Sequence, residues 1–217
     1  MNSTREDLQA IAESTDAIVG AINGSGLQFA IVLEDRFATS VNEVAVNVNF
    51  VADTYFRHPA YAHDRHSGAP WLLLYGPLRY TQPSDWAFIL RDLPPISLVT
   101  LDGRSTIVGG GSLVAATDTR ITVGEFGWPY ASNSSEESNR TDAIANTEEF
   151  YLHAATLSRA IGCIFPSFDD FYAEGGAAEG DSYFYVGDAN GSTLSETVSL
   201  AARYAASVDM FQVATWK

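Results

Sequence analysis

Cysteine is almost missing from this chain. Cys163 stands alone in 217 residues, which excludes an internal disulfide and any zinc site built on several thiolates. Lysine is equally rare: of twelve basic residues the sole lysine is Lys217 and the rest are arginine. Against those twelve stand 27 acids, giving a formal charge of −15 and a pI near 4.4. Such a field repels phosphate backbones, so nucleic acid is excluded as a general partner. No stretch approaches the roughly 20 apolar residues that span a bilayer, and the opening MNSTREDLQA lacks a basic region followed by an apolar one. The expectation is a soluble chain with no membrane partner and no export signal. The acid-rich surface is that of a salt-adapted protein or simply of an acidic one.

What is present is enough apolar material for a sizeable core, 46% hydrophobic and 12% aromatic, and the length predicts one domain over residues 1–217. Residues 4–22 place Leu8, Ile11, Ile18 and Ile22 at helical spacing, and Gly24-Ser25-Gly26 stops that helix. Short apolar runs without alternation follow at 27–33, 71–75, 96–101 and 161–165, as in strands buried on both faces of a parallel sheet. Between them lie helix patterns at 41–57, where Ser40 and Glu43 form a capping box, and at 84–92, 142–159 and 194–206. Residues 105–126 read as an irregular strand pair ending in a strand at 120–124, residues 131–140 as a polar loop, and 210–215 as a last strand. This alternation predicts an α/β fold, either a short (β/α) barrel or an open doubly wound sheet. A full eight-unit barrel takes about 250 residues, so about six mainly parallel strands make an incomplete barrel-like fold.

In such folds chemistry gathers beyond the carboxyl ends of the strands. That rule singles out Glu34, Asp35 and Arg36 after the first strand, Arg79 and Tyr80 after the second, and Asp102 and Arg104 after the third. Glu125, Trp128 and Tyr130 follow the fourth, Asp169, Asp170, Tyr172 and Glu174 the fifth, and Trp216 ends the last. Carboxylates accept hydrogen bonds from sugar hydroxyls and aromatic faces stack on pyranose rings, so the set points to an oligosaccharide or polysaccharide. Asp169, Asp170 and Glu174 offer oxygen ligands but match no calcium-loop template, and no metal or other cofactor is expected. His58, His63 and His66 fall in a helix-to-strand loop on the opposite face, and His153 lies within a helix. No nucleophile elbow or dinucleotide loop is present, and Cys163 reads as a core thiol.

The segments FAIVLEDRF (29–37), VNFVADTYFRHPAYAHDRHSGAPWLLLYGP (48–77), FPSFDDFYAEGG (165–176) and FQVATW (211–216) resemble the family 71/99-like glycoside hydrolases, β/α-barrel proteins of polysaccharide use. The resemblance implies a secreted or periplasmic protein acting on or binding polysaccharide. It also implies catalytic acids after the last strand, where this sequence runs from Trp216 to Lys217, so the chain reads as truncated at both ends. Two expectations follow. One is a carbohydrate-binding protein with lost or weakened catalysis, or a structural subunit of a larger assembly. The other is an endo-acting glycosidase using a relocated pair, Glu34 with Asp169 or Asp170. An unclosed barrel further predicts a homo-oligomer or a partner chain over its open sheet edges.

Overall fold

In the computed structural model the described residues are 5–36, 38–77, 79–80, 82–101, 120–129, 136–169 and 185–213. The fold is α/β, an incomplete (β/α) barrel-like arrangement of six parallel strands with helices between them. The chain forms two compact units, Met1–Val123 and Gly124–Lys217.

In the first unit, helix α1 (Arg5–Ile22) ends where Gly24 and Gly26 take left-handed φ of 79° and 82°. Strand β1 (Ile31–Glu34) starts later than its apolar run. Leu27 is 63% exposed, and Phe29 makes only a single bridge to Tyr61 before the ladder begins. β1 runs parallel to β2 (Trp71–Tyr75), with Ile31 opposite Leu72 and Glu34 opposite Tyr75, and β2 runs parallel to β3 (Ile96–Leu101). Ile31, Leu33, Leu72, Leu74 and Leu98 pack with Val44, Val48 and Val51 of helix α2 (Val41–Tyr55) and with Trp86 and Ile89 of helix α3 (Pro83–Ile89). Side chains alternate across a strand, so Val32 and Glu34, with Leu73 and Tyr75, take the face away from these helices.

Two local features explain the element ends. Ser40 Oγ accepts the Glu43 N–H at 3.1 Å, as the capping-box spacing predicts, but the Glu43 carboxylate turns to the Thr39 amide and hydroxyl at 2.7 and 2.6 Å. Helix α3 stops short of the expected Asp92 because the chain turns there, and Arg120 donates to the carbonyls of Arg91 and Leu93 at 3.4 and 3.0 Å. The Thr39 hydroxyl, then its amide, then the Arg79 charge hold the Glu43 carboxyl below its ordinary value against a small opposing burial effect. A carboxyl depressed in the folded state stabilises above its unfolded pKa, and that contribution is lost as pH falls through the folded value. Glu43→Gln is therefore expected to melt below the unaltered protein at pH 7, with the gap closing well below pH 4.5. Thermal unfolding at both pH values checks it, and a gap that persists in acid would refute the assignment.

In the second unit β4 (Ile121–Phe126), which carries the boundary, pairs in parallel with β5 (Ala160–Ile164), and β5 with β8 (Met210–Val213). Helix α4 (Glu136–Ala154) starts inside the stretch expected to be a loop and ends before Arg159. β6 (Phe168–Asp169) and β7 (Tyr185–Val186) form a short antiparallel pair, and helix α5 (Ser192–Arg203) leads into β8. The two helices are clamped by Arg140 on Glu196 at 2.9 Å and by Arg203 and the Tyr204 hydroxyl on Glu148 at 2.8 and 2.9 Å. Tyr204 stacks on Tyr151 at 5.6 Å, and the Tyr151 hydroxyl donates to the Cys163 carbonyl at 2.7 Å.

Candidate functional site

The carboxyl ends of β1 and β2 hold the best-defined cluster. Asp35 is 1% exposed, and its Oδ2 accepts the backbone N–H groups of Arg79 and Tyr80 at 3.0 and 2.8 Å. The Tyr80 hydroxyl donates to the Ala38 carbonyl at 3.1 Å, and Trp86 Nε1 donates to the Tyr80 carbonyl at 2.7 Å. One carboxylate therefore ties the loop after β1 to the loop after β2, more than forty residues later. Asp35 thus stands at the expected strand end, buried, with this oxygen on the backbone of its own fold.

Glu34 is partly buried and, one residue before Asp35, takes the other side of the strand. Its Oε1 pairs with Arg36 Nε at 2.6 Å, with side chains 21% and 38% exposed. Opposite Glu34 in the ladder stands Tyr75, half-buried on the same strand face. Tyr75 was concealed in the run WLLLY, and only the register with Glu34 reveals it beside a carboxylate. Val32, one step back on this face, is 44% exposed, while Leu73 opposite it is buried, so the exposure lies along the edge strand β1. A cavity bounded by Glu34, Asp35, Val44, Leu73, Leu74 and Trp86, among others, measures about 20 Å³. That is room for a water, which needs at least about 10–15 Å³ by this measure, and far too little for a sugar.

The second unit places the other candidates differently. Glu125 lies within β4 instead of following it, is buried, and meets His153 Nε2 of α4 at 3.3 Å. The reason is that β4 runs two residues past the expected Gly124, so Glu125 takes the helix-facing side. Trp128 is half-buried, edge-on to Phe126 at 6.2 Å, and packs with Ala143, Cys163, Phe165 and Val186. Those contacts make it part of the packing above α4. Asp169 is in β6, its backbone opposite Tyr185. Asp102, Arg104, Tyr130, Asp170, Tyr172, Glu174 and Trp216 lie outside the described residues.

The loop before β2 that carries the histidines is organised by a buried aspartate, Asp64. Asp64 is fully buried; its Oδ1 accepts the His66 N–H at 2.9 Å and its Oδ2 the hydroxyls of Ser67 and Ser97 at 2.6 and 3.0 Å. This pins the 61–70 loop to β3 at the amino-terminal face. Among the described residues no three His, Cys, Asp or Glu side chains gather as metal ligands, and no helix is long and apolar enough to cross a membrane.

No protein-family profile matches the sequence, and no curated protein matches it. Among solved structures the chain is similar to the GH99 endo-alpha-mannosidase from Bacteroides thetaiotaomicron, with a TM-score of 0.56 and 19% identity. The match covers 91% of this chain and 56% of that one, so the chain spans about half the length of the structure it resembles. At this identity the likeness shows a shared fold, a family 99-like glycosidase fold.

Proposed function

We propose that this chain is a carbohydrate-active protein of the family 71/99 glycoside hydrolase type that binds polysaccharide at the carboxyl ends of β1 and β2, with catalysis weak or lost. The observation that carries the reading is the register pair Glu34 and Tyr75: a carboxylate residue and an aromatic residue opposite one another, both partly exposed, where β1 and β2 end. Arg36 orients the Glu34 carboxylate, and such a charge-assisted contact suits a hydroxyl acceptor better than a proton donor. Asp35 accepts two backbone amides and is buried, so it anchors the loop that carries Arg79 and Tyr80. A hydrolase of this kind needs two working carboxyls about 5 to 9.5 Å apart, and the β1 end presents one.

The mannosidase likeness makes α-linked mannan the first ligand to try. Binding to mannan within a broad polysaccharide panel, followed by calorimetry, is expected to show weak affinity that Glu34→Gln lowers about tenfold, with hydrolysis near background. An acid–base pair contributes about 10² to 10⁴ in rate, so genuine catalysis would be plain. Robust turnover abolished by Glu34→Gln would replace the binding protein with an enzyme. No binding across the panel would remove both.

A further inference from the structure

The arginines of this acidic chain are mostly engaged. Arg36 pairs with Glu34, Arg91 with Asp92, Arg140 with Glu196 and Arg203 with Glu148, while Arg120 caps carbonyls. Arg79 is different. It is exposed, its guanidinium lies 5.7 Å from the Tyr80 ring centre, and among the described residues it closes no ion pair, although its charge reaches Glu43. Its backbone is held by the buried Asp35, so the side chain springs from a fixed point at the carboxyl end of β1, where Asp35 follows Glu34 in the chain. Arg57, also without an ion pair among the described residues, follows α2 and so belongs to the opposite end of the strands.

We infer that Arg79 makes this site selective for glycans bearing an anionic substituent, a carboxylate or a sulfate ester. This rests on the proposed glycan-binding reading and names its ligand class. A guanidinium matches the paired oxygens of either group with two parallel N–H bonds, which neutral hydroxyls cannot do. The overall charge of −15 opposes a polyanion at long range, but that repulsion is screened within about 8 Å at physiological salt and about 3 Å at 1 M. The contact pair persists, so selectivity survives at salt concentrations where general repulsion fades.

The test compares three probes with one backbone: unmodified mannan, sulfated mannan, and mannan oxidised to uronate at C6. Binding is measured by calorimetry at about 0.15 M and 0.5 M salt, a range in which the Debye length is already below ~10 Å. The protein is expected to prefer at least one acidic probe by about tenfold, and Arg79→Gln to erase that preference. Preference for sulfate alone or uronate alone identifies the group. Arg79→Gln keeps the backbone N–H that Asp35 holds, and an unchanged melting temperature verifies that its fold is intact. Equal or tighter binding of unmodified mannan would overturn this inference and leave the glycan reading standing, as would an acidic preference that survives Arg79→Gln. Failure of all three probes would remove both.

Discussion

Asp35→Ala is expected to lower the melting temperature by roughly 6–12 °C and to abolish glycan binding together. Asp35 is buried, and two backbone amides, those of Arg79 and Tyr80, converge on one of its oxygens. Alanine leaves both donors without that acceptor, and each buried unpaired donor costs about 1–3 kcal/mol. A total near 3 kcal/mol corresponds to about 2–4 °C per kcal/mol for a chain of this size. Binding falls with it because the loop that carries Arg79 and Tyr80 loses its anchor to β1. Asp35→Asn separates anchoring from charge. Its amide oxygen can still accept both N–H groups, so about half the stability loss and much of the binding should return. Thermal unfolding and calorimetry on the two variants decide the matter. An alanine variant that melts normally would show that the loop is held by other contacts.

The reach of the sequence follows how local each determinant is. The cap of α2 is legible because Ser40 and Glu43 are three residues apart, and even its departure, the turn of Glu43 to Thr39, is a shift of one residue. The strands β2 and β3 are legible because buried parallel strands are nearly continuous in apolar residues, Ser97 and Thr100 being the polar exceptions in β3. The start of α4 is not. Its buried seam is Asn139, Ala143, Thr147, Phe150, Tyr151 and Ala154, helically spaced but polar or small in its first half. Such a seam leaves no hydrophobic period to detect, and what fixes it is Arg140 on Glu196, 56 residues away.

The site divides along the same line. That acids and arginines collect after β1 and β2 is readable from strand ends alone. Which of them turns inward is not, because Glu34 and Asp35 are chemically alike neighbours that alternate across the strand. Asp35 falls on the α2 side and finds amides 44 and 45 residues away; Glu34 falls on the other side and stands opposite Tyr75 through register. Glu125 shows the same limit, since one extra turn of the pleat put it against His153.

Gly124→Val is expected to be the most disruptive single change in the second unit, costing about 3 kcal/mol or more, at or beyond the upper end of ordinary overpacking. A Cβ at Gly124 would fall onto the carbonyl oxygen of Arg159 and within 2.5 Å of its Cβ. That segment has nowhere to go. Arg159 O accepts the Glu125 N–H at 3.2 Å, while Ala160 N–H donates to Asp209 Oδ2 at 2.9 Å and its carbonyl accepts the Asp209 N–H at 2.8 Å. Backbone fixed on both sides cannot yield as a side chain can. Gly162 supplies the contrast: a Cβ there meets the ring edges of Phe211 and Tyr151 at 2.7 Å, and rings can turn, so Gly162→Ala should cost less, about 1–3 kcal/mol. Urea unfolding ranks the two variants, and hydrogen exchange locates the damage. In Gly124→Val the amides of β5 should lose protection first, because β5 pairs with β4 through Ala160 and Ile161. If Gly124→Val unfolds at the same urea concentration as the unaltered chain, the close approach of Arg159 to β4 is not a feature of the folded protein in solution.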